Sequence, residues 1–324
     1  MTRSGQIHLV TGGAGFIGAN LASILVARGL RVLLVDDLSR GTLSNLGALL
    51  HNPRVMFRQV DCADAEALGS AVASVGAPVS NVWHLAANSD IPAGVADPRI
   101  DFYRTFQTTF GVLEFMKRAA TSCLHFASSS AIYGDFGDIE IHEDIGPLAP
   151  ISNYGAMKLA SEAQISAAVE AFLPRAEIYR FPNVIGVPAT HGVIWDFVRK
   201  LAQSPNELEV LGDGSQQKAY MHVSDLIEAM FHISGREGRR LVFNIGPEDD
   251  GVSVKFIAET VRDLASPNAR IVYGSSSRGW IGDVPRFRYS IRRLTASGWS
   301  PRWSSRDTIL HAAKEIIRQE LNRS

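Results

Sequence analysis

Cysteine is nearly missing from this chain. Of 324 residues only Cys62 and Cys123 carry a thiol, too few for a disulfide framework or a Cys-rich zinc site, and a scarcity that fits a reducing cytoplasm. Neither sign of charge dominates: 32 basic side chains face 33 acidic ones, for a net charge of -1. That balance leaves no overall footprint for nucleic acid or an anionic membrane surface. No His, Asp and Glu spacing has the form of a metal site. Repeats, low-complexity tracts and long linkers are lacking too, so the length implies one large or two coupled domains able to bury a core unaided. A membrane span is also missing, although residues 4–27 hold no charged side chain and are long enough to cross a bilayer or serve as a signal peptide. They contain five glycines, Gln6, His8 and Asn20, and their apolar residues fall into two blocks around a glycine cluster. A membrane helix is not punctuated in that way.

What is present is an alternation of short aliphatic runs with helical patterns. The spacing predicts strands over 7–11, 31–36, 55–61, 81–86, 124–128 and 177–181, and helices over 16–28, 63–75, 102–120 and 154–171. Strands alternating with helices imply an α/β fold with a doubly wound parallel sheet, whose ligands sit beyond the carboxyl ends of its strands. After residue 181 the rhythm loosens, with helices expected over 194–203, 223–233, 254–264 and 306–321.

Two constellations carry chemistry. Residues 11–18, TGGAGFIG, join the first strand to the first helix. Glycines at 12, 15 and 18 let that turn tighten, admit a pyrophosphate to the backbone, and let the helix pack on the strand. The second strand ends in Asp36-Asp37, where an acid accepts hydrogen bonds from an adenosine ribose and repels a 2′-phosphate, which favours NAD over NADP. The second constellation is Tyr154-Gly-Ala-Met-Lys158. Positions i and i+4 share a helix face, so the phenol and the ammonium can enter one site. A nearby cation favours the phenolate and suits it as a general base. Ser128-Ser129-Ser130, ending a predicted strand, can add a hydroxyl.

Together with HLAA (84–87), SSSAIYG (128–134), RFPNVIG (180–186), GDGSQQKAYMHVSD (212–225) and NIG (244–246), these segments resemble the extended short-chain dehydrogenase/reductase family, and within it the nucleotide-sugar epimerases and dehydratases. The likeness covers residues 7–303. It implies an NAD-binding Rossmann domain over 1–181, completed by part of 219–247, and a smaller mixed α/β substrate domain over most of 182–324. By resemblance Gly12, Gly15, Phe16 and Ile17 line the pyrophosphate, and Asp36 holds the adenosine ribose. Asp61 and Cys62 border the adenine, while Leu85, Ala86 and Ala87 run under the cofactor. Tyr154, Lys158 and Ser129 become the catalytic group, with Lys158 also on the nicotinamide ribose and Ser130 the alternative register for the serine.

The implied activity is epimerisation of a nucleotide-diphosphate sugar, at C4, through a transient 4-keto sugar with retained NAD. Dehydratases place an acid beside the catalytic hydroxyl, and Ser130-Ala131 stand there instead. A dehydratase or 4-oxidoreductase is therefore the second reading, and a non-catalytic NAD-binding sensor the third. On the substrate side, Ser129, Ser130, Tyr154, Asn183, Lys218, Asp90 and Arg278 are the candidates. Lys218 and Trp280 replace arginines common in the family, Pro182 replaces an aromatic, and Asp90 either reads sugar hydroxyls or caps a helix. His191 and Trp195 either face the nucleotide or stand as a solvated loop residue and a core or interface residue. A homodimer through the helices at 102–120 and 154–171 is expected, with Phe106, Phe110, Leu113 and Met116 forming an apolar stripe.

Overall fold

A computed structural model describes residues 6–276 and 289–322. Arg278 and Trp280, named above for the substrate side, lie outside the described residues. The chain divides into two compact units.

The first unit comprises Met1–Ile132, Ala149–Arg180 and Met230–Phe243. Its helices and strands alternate: β1 (Ile7–Thr11), α1 (Phe16–Ala27), β2 (Arg31–Asp36), β3 (Val55–Gln59), α2 (Ala65–Ala73), β4 (Val79–His84), α3 (Ile91–Ala96), α4 (Pro98–Asp101), α5 (Thr108–Ala119), β5 (Cys123–Ala127), α6 (Asn153–Ala171) and β6 (Arg175–Arg180). These six strands pair in parallel in the order β6-β5-β4-β1-β2-β3, and β11 (Arg240–Asn244) adds a seventh beside β6. Every residue of β1 is buried, as a central strand covered on both faces requires. The strand order reverses between β1 and β4, so the loops that follow them diverge and leave a crevice. One core packs Leu9, Leu33, Val82, Leu124 and Ile178 against Val112, Met116 and Ile165.

The charge-free run is thus β1, a turn and α1. Most predicted elements shift by a few residues, and two differences matter. Strand β3 stops at Gln59, which leaves Asp61 in the turn before α2, where its carboxylate accepts the Ala63 N–H. The segment before α5 is a π-helix over Phe102–Gln107, which breaks the 3.6-residue period on which the apolar stripe was built. Leu113 and Met116 go into the core, whereas Phe102, Tyr103 and Phe110 remain exposed.

The second unit comprises Tyr133–Leu148, Phe181–Ala229 and Asn244–Ser324. It holds β7 (Asn183–Ile185), α7 (Val193–Gln203), β8 (Glu207–Val210), β9 (Gln217–Lys218), β10 (Tyr220–His222), α8 (Val223–Ser234, whose second half belongs to the first unit), β12 (Val252–Ser253), α9 (Val254–Ala265), β13 (Arg270–Tyr273), α10 (Arg292–Thr295) and α11 (Ser305–Leu321). Its core packs Phe197 and Leu201 of α7 against Ile257 and Val261 of α9 and Ile309, Ala313 and Ile316 of α11. The chain passes into this unit at Phe181, one residue from the expected boundary, and residues 133–148 join it as well. They are tied down locally: the Tyr133 hydroxyl donates to Asn244 Oδ1 at 2.6 Å, Ser290 N–H donates to Ile141 O, and Ile141 bridges Tyr289. Among the described residues no helix is long and apolar enough to cross a membrane.

Candidate active site

The glycine turn opens at the crevice between β1 and β4. Gly12 has φ +67°, and a Cβ there would lie 2.8 Å from Ala86 N. Backbone conformation and space both demand glycine at this point. The loop after β4 is drawn in by Leu85 N–H to Thr11 O at 3.2 Å and Ala86 N–H to Thr11 Oγ1 at 3.4 Å. Leu85, Ala86 and Ala87 therefore run directly beside the turn. Helix α1 begins at Phe16 with no side-chain cap on Gly15 and no acid in its first turn. An uncapped helix start beneath a glycine cradle has the form of a backbone anion site, so the residues present fit the pyrophosphate of a dinucleotide.

Asp36 is buried at the end of β2, and both its oxygens take backbone donors: Ala14 N–H at 3.0 Å and Leu38 N–H at 2.8 Å. Burial nonetheless raises its carboxyl pKa, against those two hydrogen bonds. The acid thus builds the turn it borders, and a carboxylate oxygen has a further lone pair to offer a hydroxyl. Cys62 is buried with the core, and desolvation followed by the charges of Asp61 and Asp37 pushes its thiol up. It is a wall, held as the unreactive thiol.

The second constellation assembles where α6 starts. Ser152 caps this helix, its hydroxyl accepting the Gly155 N–H at 3.1 Å. A Cβ on Gly155 would fall 2.3 Å from Ala131 O, so the glycine between Tyr154 and Lys158 is what lets α6 press onto the serine turn. Of the three serines, Ser129 is the one that acts on the Tyr154 phenol, lowering its pKa, and its Oγ also accepts the Ala131 N–H at 3.1 Å. Ser128 instead donates to Glu162 at 2.5 Å within the core, and Ser130 begins the tight turn Ser130–Ile132. Lys158 is buried, its ammonium donating to Ala127 O at 2.6 Å and lying 4.7 Å from the Phe126 ring centroid.

The electrostatics correct one expectation. Burial pushes the Tyr154 phenol up to about 12, against the Ser129 hydrogen bond, with Asp101 adding to the rise. Burial also brings Lys158 down to about 7, opposed by Glu162 and Asp101. The ammonium sits 5.8 Å from the tyrosine ring centroid and spends itself on Ala127. Desolvation of two groups thus outweighs the expected help from lysine to phenol.

Asp101 was not singled out by sequence. It is fully buried at the end of α4, accepts from Asn88 Nδ2 at 2.8 Å through Oδ1, and leaves Oδ2 without a hydrogen-bond donor. Burial raises its own pKa, and its charge acts on both Tyr154 and Lys158. No motif marks it, because only the packing of α4 onto α6 brings it there. Since a negative charge raises both pKa values, Asp101→Asn is expected to move the rising limb of kcat/KM to lower pH. An unmoved limb would show that Asp101 is protonated and electrostatically silent.

Other candidates fall elsewhere. Asp90 caps α3, Oδ1 accepting Ala93 N–H at 3.0 Å, while Oδ2 pairs with Arg40 at 3.0 Å. The capping alternative is the one the fold builds, and the carboxylate is committed on both oxygens. His84 bridges Thr11 and Thr109 at 2.7 and 3.1 Å, and burial drives its pKa down to about 3, so it stays neutral and ties β4 to β1 and α5. Trp195 does not face a nucleotide: its indole donates to Glu320 at 3.2 Å within the second unit. His191 is exposed beside Thr190. Asn183 is exposed in β7 and donates to Ala219 O, and Lys218 lies in β9.

A Rossmann sheet with a glycine-rich βα turn, and a tyrosine, lysine and serine gathered at its carboxyl edge, define a dinucleotide-dependent enzyme of the short-chain dehydrogenase type. Comparison with known proteins carries this one step further. The NAD dependent epimerase/dehydratase family matches residues 8–246, and the chain belongs to that family. A UDP-glucose 4-epimerase of Azospirillum brasilense is 30% identical over 328 residues, covering 94% of this chain and 90% of the relative. A solved UDP-galactose 4-epimerase superimposes with TM-score 0.84 at 31% identity, over 97% of this chain and 99% of that one. The UDP-glucose 4-epimerase of Thermus thermophilus, solved in complex with NAD, gives TM-score 0.83 at 29% identity, over 96% and 99%.

Proposed function

We propose that this protein catalyses NAD-dependent epimerisation at C4 of a nucleotide-diphosphate sugar, UDP-linked as in the named relatives. The observation that carries the reading is that Tyr154 and Lys158 stand one turn apart on α6, pressed through Gly155 onto the serine turn that follows β5. NAD, when bound, supplies a hydride acceptor and a cationic ring. Gly12, Gly15, Phe16 and Ile17 would hold its pyrophosphate, Asp36 its adenosine ribose, and Asp61 and Cys62 would border its adenine. Tyr154, as the phenolate, takes the C4 hydroxyl proton, and Ser129 holds the same sugar oxygen with its hydroxyl. Lys158, drawn by burial to about 7, holds the nicotinamide ribose. Ser130, Asn183 and Lys218 are the candidates for the sugar diphosphate by their likeness to the family's motifs. Lys218 presents a point charge where a guanidinium fork grips bidentately, so the diphosphate is held differently from the arginine-bearing members.

The test is incubation of the holoenzyme with a panel of UDP-, GDP-, ADP- and CDP-sugars. A 4-epimer should form without net cofactor consumption, and deuterium placed at C4 should be retained in the product. A released 4-keto or dehydrated sugar would favour the second reading, and NAD binding without turnover across the panel would favour the sensor.

The exposed aromatic face of Phe102, Tyr103 and Phe110, 45%, 55% and 45% accessible, supports a homodimer through the segment 102–119. Phe110→Glu should convert the dimer to monomer in light scattering; an unchanged mass would place the interface elsewhere.

A further inference from the structure

A second cluster of chemistry-bearing side chains lies wholly within the second unit and has no part in the site above. His311 and Glu315 are one turn apart on α11, and i, i+4 side chains share a helix face. His222, the last residue of β10, is brought against them by the packing of β10 on α11. His222 Nε2 lies 3.0 Å from Glu315 Oε2, and His311 Nε2 lies 3.5 Å from Glu315 Oε1. One donor atom from each of the three residues lies within 4.8 Å of the others. Around a tetrahedral ion with bonds of about 2.0–2.1 Å, neighbouring donors stand roughly 3.3–3.4 Å apart. The side chains are therefore near a coordinating arrangement already.

The surroundings fit the same reading. His222 Nδ1 is 2.8 Å from Ser224 Oγ, and ligating histidines characteristically have their second ring nitrogen held by such a partner. In the ion-free protein Nδ1 also accepts the Ser224 N–H at 3.3 Å and the ring proton on Nε2 is donated to Glu315; an ion bound at Nε2 moves that proton to Nδ1, where the Ser224 hydroxyl accepts it. Trp303 stacks on His311 with centroids 4.8 Å apart and an interplanar angle of 24°, and meets His222 edge-on at 5.1 Å. One indole thus orients both imidazoles. Side-chain exposure rises from 9% at His222 through 25% at Glu315 to 45% at His311, which leaves an entry path and an open fourth position.

The geometry points to a divalent transition-metal site formed by His222, His311 and Glu315, with the fourth position on the solvent side. Two imidazoles and a carboxylate select a borderline ion such as Zn²⁺ over Mg²⁺ or Ca²⁺, which prefer all-oxygen shells. The ion clips α11 to the end of β10 and so braces the second unit without touching Tyr154.

The experiment uses the full-length protein stripped with chelator and titrated with Zn²⁺ alone, followed by calorimetry, and with Co²⁺ alone, followed by visible absorption. One ion per chain, a rise in Tm and intense tetrahedral Co²⁺ bands are expected. His311→Ala, a change at an exposed position, should abolish the bands, and Ser224→Ala should weaken Zn²⁺ by roughly 10–100-fold. No saturable binding to native protein at micromolar Zn²⁺, or a His311→Ala variant that binds as tightly as native, would overturn the site.

Discussion

Tyr154→Phe should leave a folded, NAD-binding protein with turnover lower by about 10²–10⁴, the usual worth of a positioned general base. The substitution removes one oxygen. Its structural cost is limited to at most one polar interaction, roughly 0.5–1.5 kcal/mol, because the ring and its packing remain. The decisive comparison sets kcat against Tm and NAD affinity: kcat collapses and the other two barely move. Near-native turnover in the phenylalanine variant would remove Tyr154 from the chemistry and reopen the non-catalytic reading. Because the phenol sits near 12 in this structure, its effective acidity must depend on the charge that NAD brings. The pH profile of the holoenzyme should therefore report an ionisation well below that of the Tyr154 phenol in protein stripped of cofactor.

Glu162→Ala should produce the largest loss of stability. Glu162 lies buried one turn beyond Lys158, and its carboxylate receives Arg180 Nη2 at 2.6 Å, Arg180 Nε at 3.0 Å and the Ser128 hydroxyl at 2.5 Å. Arg180, at the end of β6, is buried as well. Truncation breaks a buried ion pair by removing one partner, which costs about 3–5 kcal/mol and is expected as a large drop in the urea midpoint. A paired replacement, Glu162→Leu with Arg180→Met, should recover most of the loss, because it removes the desolvation cost of both buried charges together with their attraction. A single variant within about 1 kcal/mol of native would show that Arg180 finds water or another acceptor. The same carboxylate holds Lys158 up electrostatically, so Glu162→Ala also lowers the lysine pKa and couples the core pair to the active site.

The two constellations legible in the sequence are those whose chemistry is local. The glycine turn needs one tight bend between a strand and a helix, and the Tyr154 and Lys158 pair needs only helical spacing. Both were readable from eight and five contiguous residues. The apolar stripe divides for a physical reason: at 3.6 residues per turn positions 110 and 116 of α5 stand about 120° apart, so Phe110 faces outward while Leu113 and Met116 enter the core. Asp90 could be read two ways because a carboxylate that caps a helix and one that meets a sugar look alike until the N–H of Ala93 and the guanidinium of Arg40 are seen on it.

By itself the sequence determined the parallel α/β plan, the dinucleotide turn and the identity of the tyrosine and lysine, because each rests on neighbours in the chain. Only the tertiary structure showed that Ser129 is the serine that acts on the phenol, that segment 133–148 belongs to the second unit, and that the charge of Asp101 reaches Tyr154 and Lys158. It alone brought His222 within reach of His311 and Glu315, nearly ninety positions apart. The reason is common to all four. Contacts between residues distant in sequence are set by packing, and packing leaves no periodic mark on the chain.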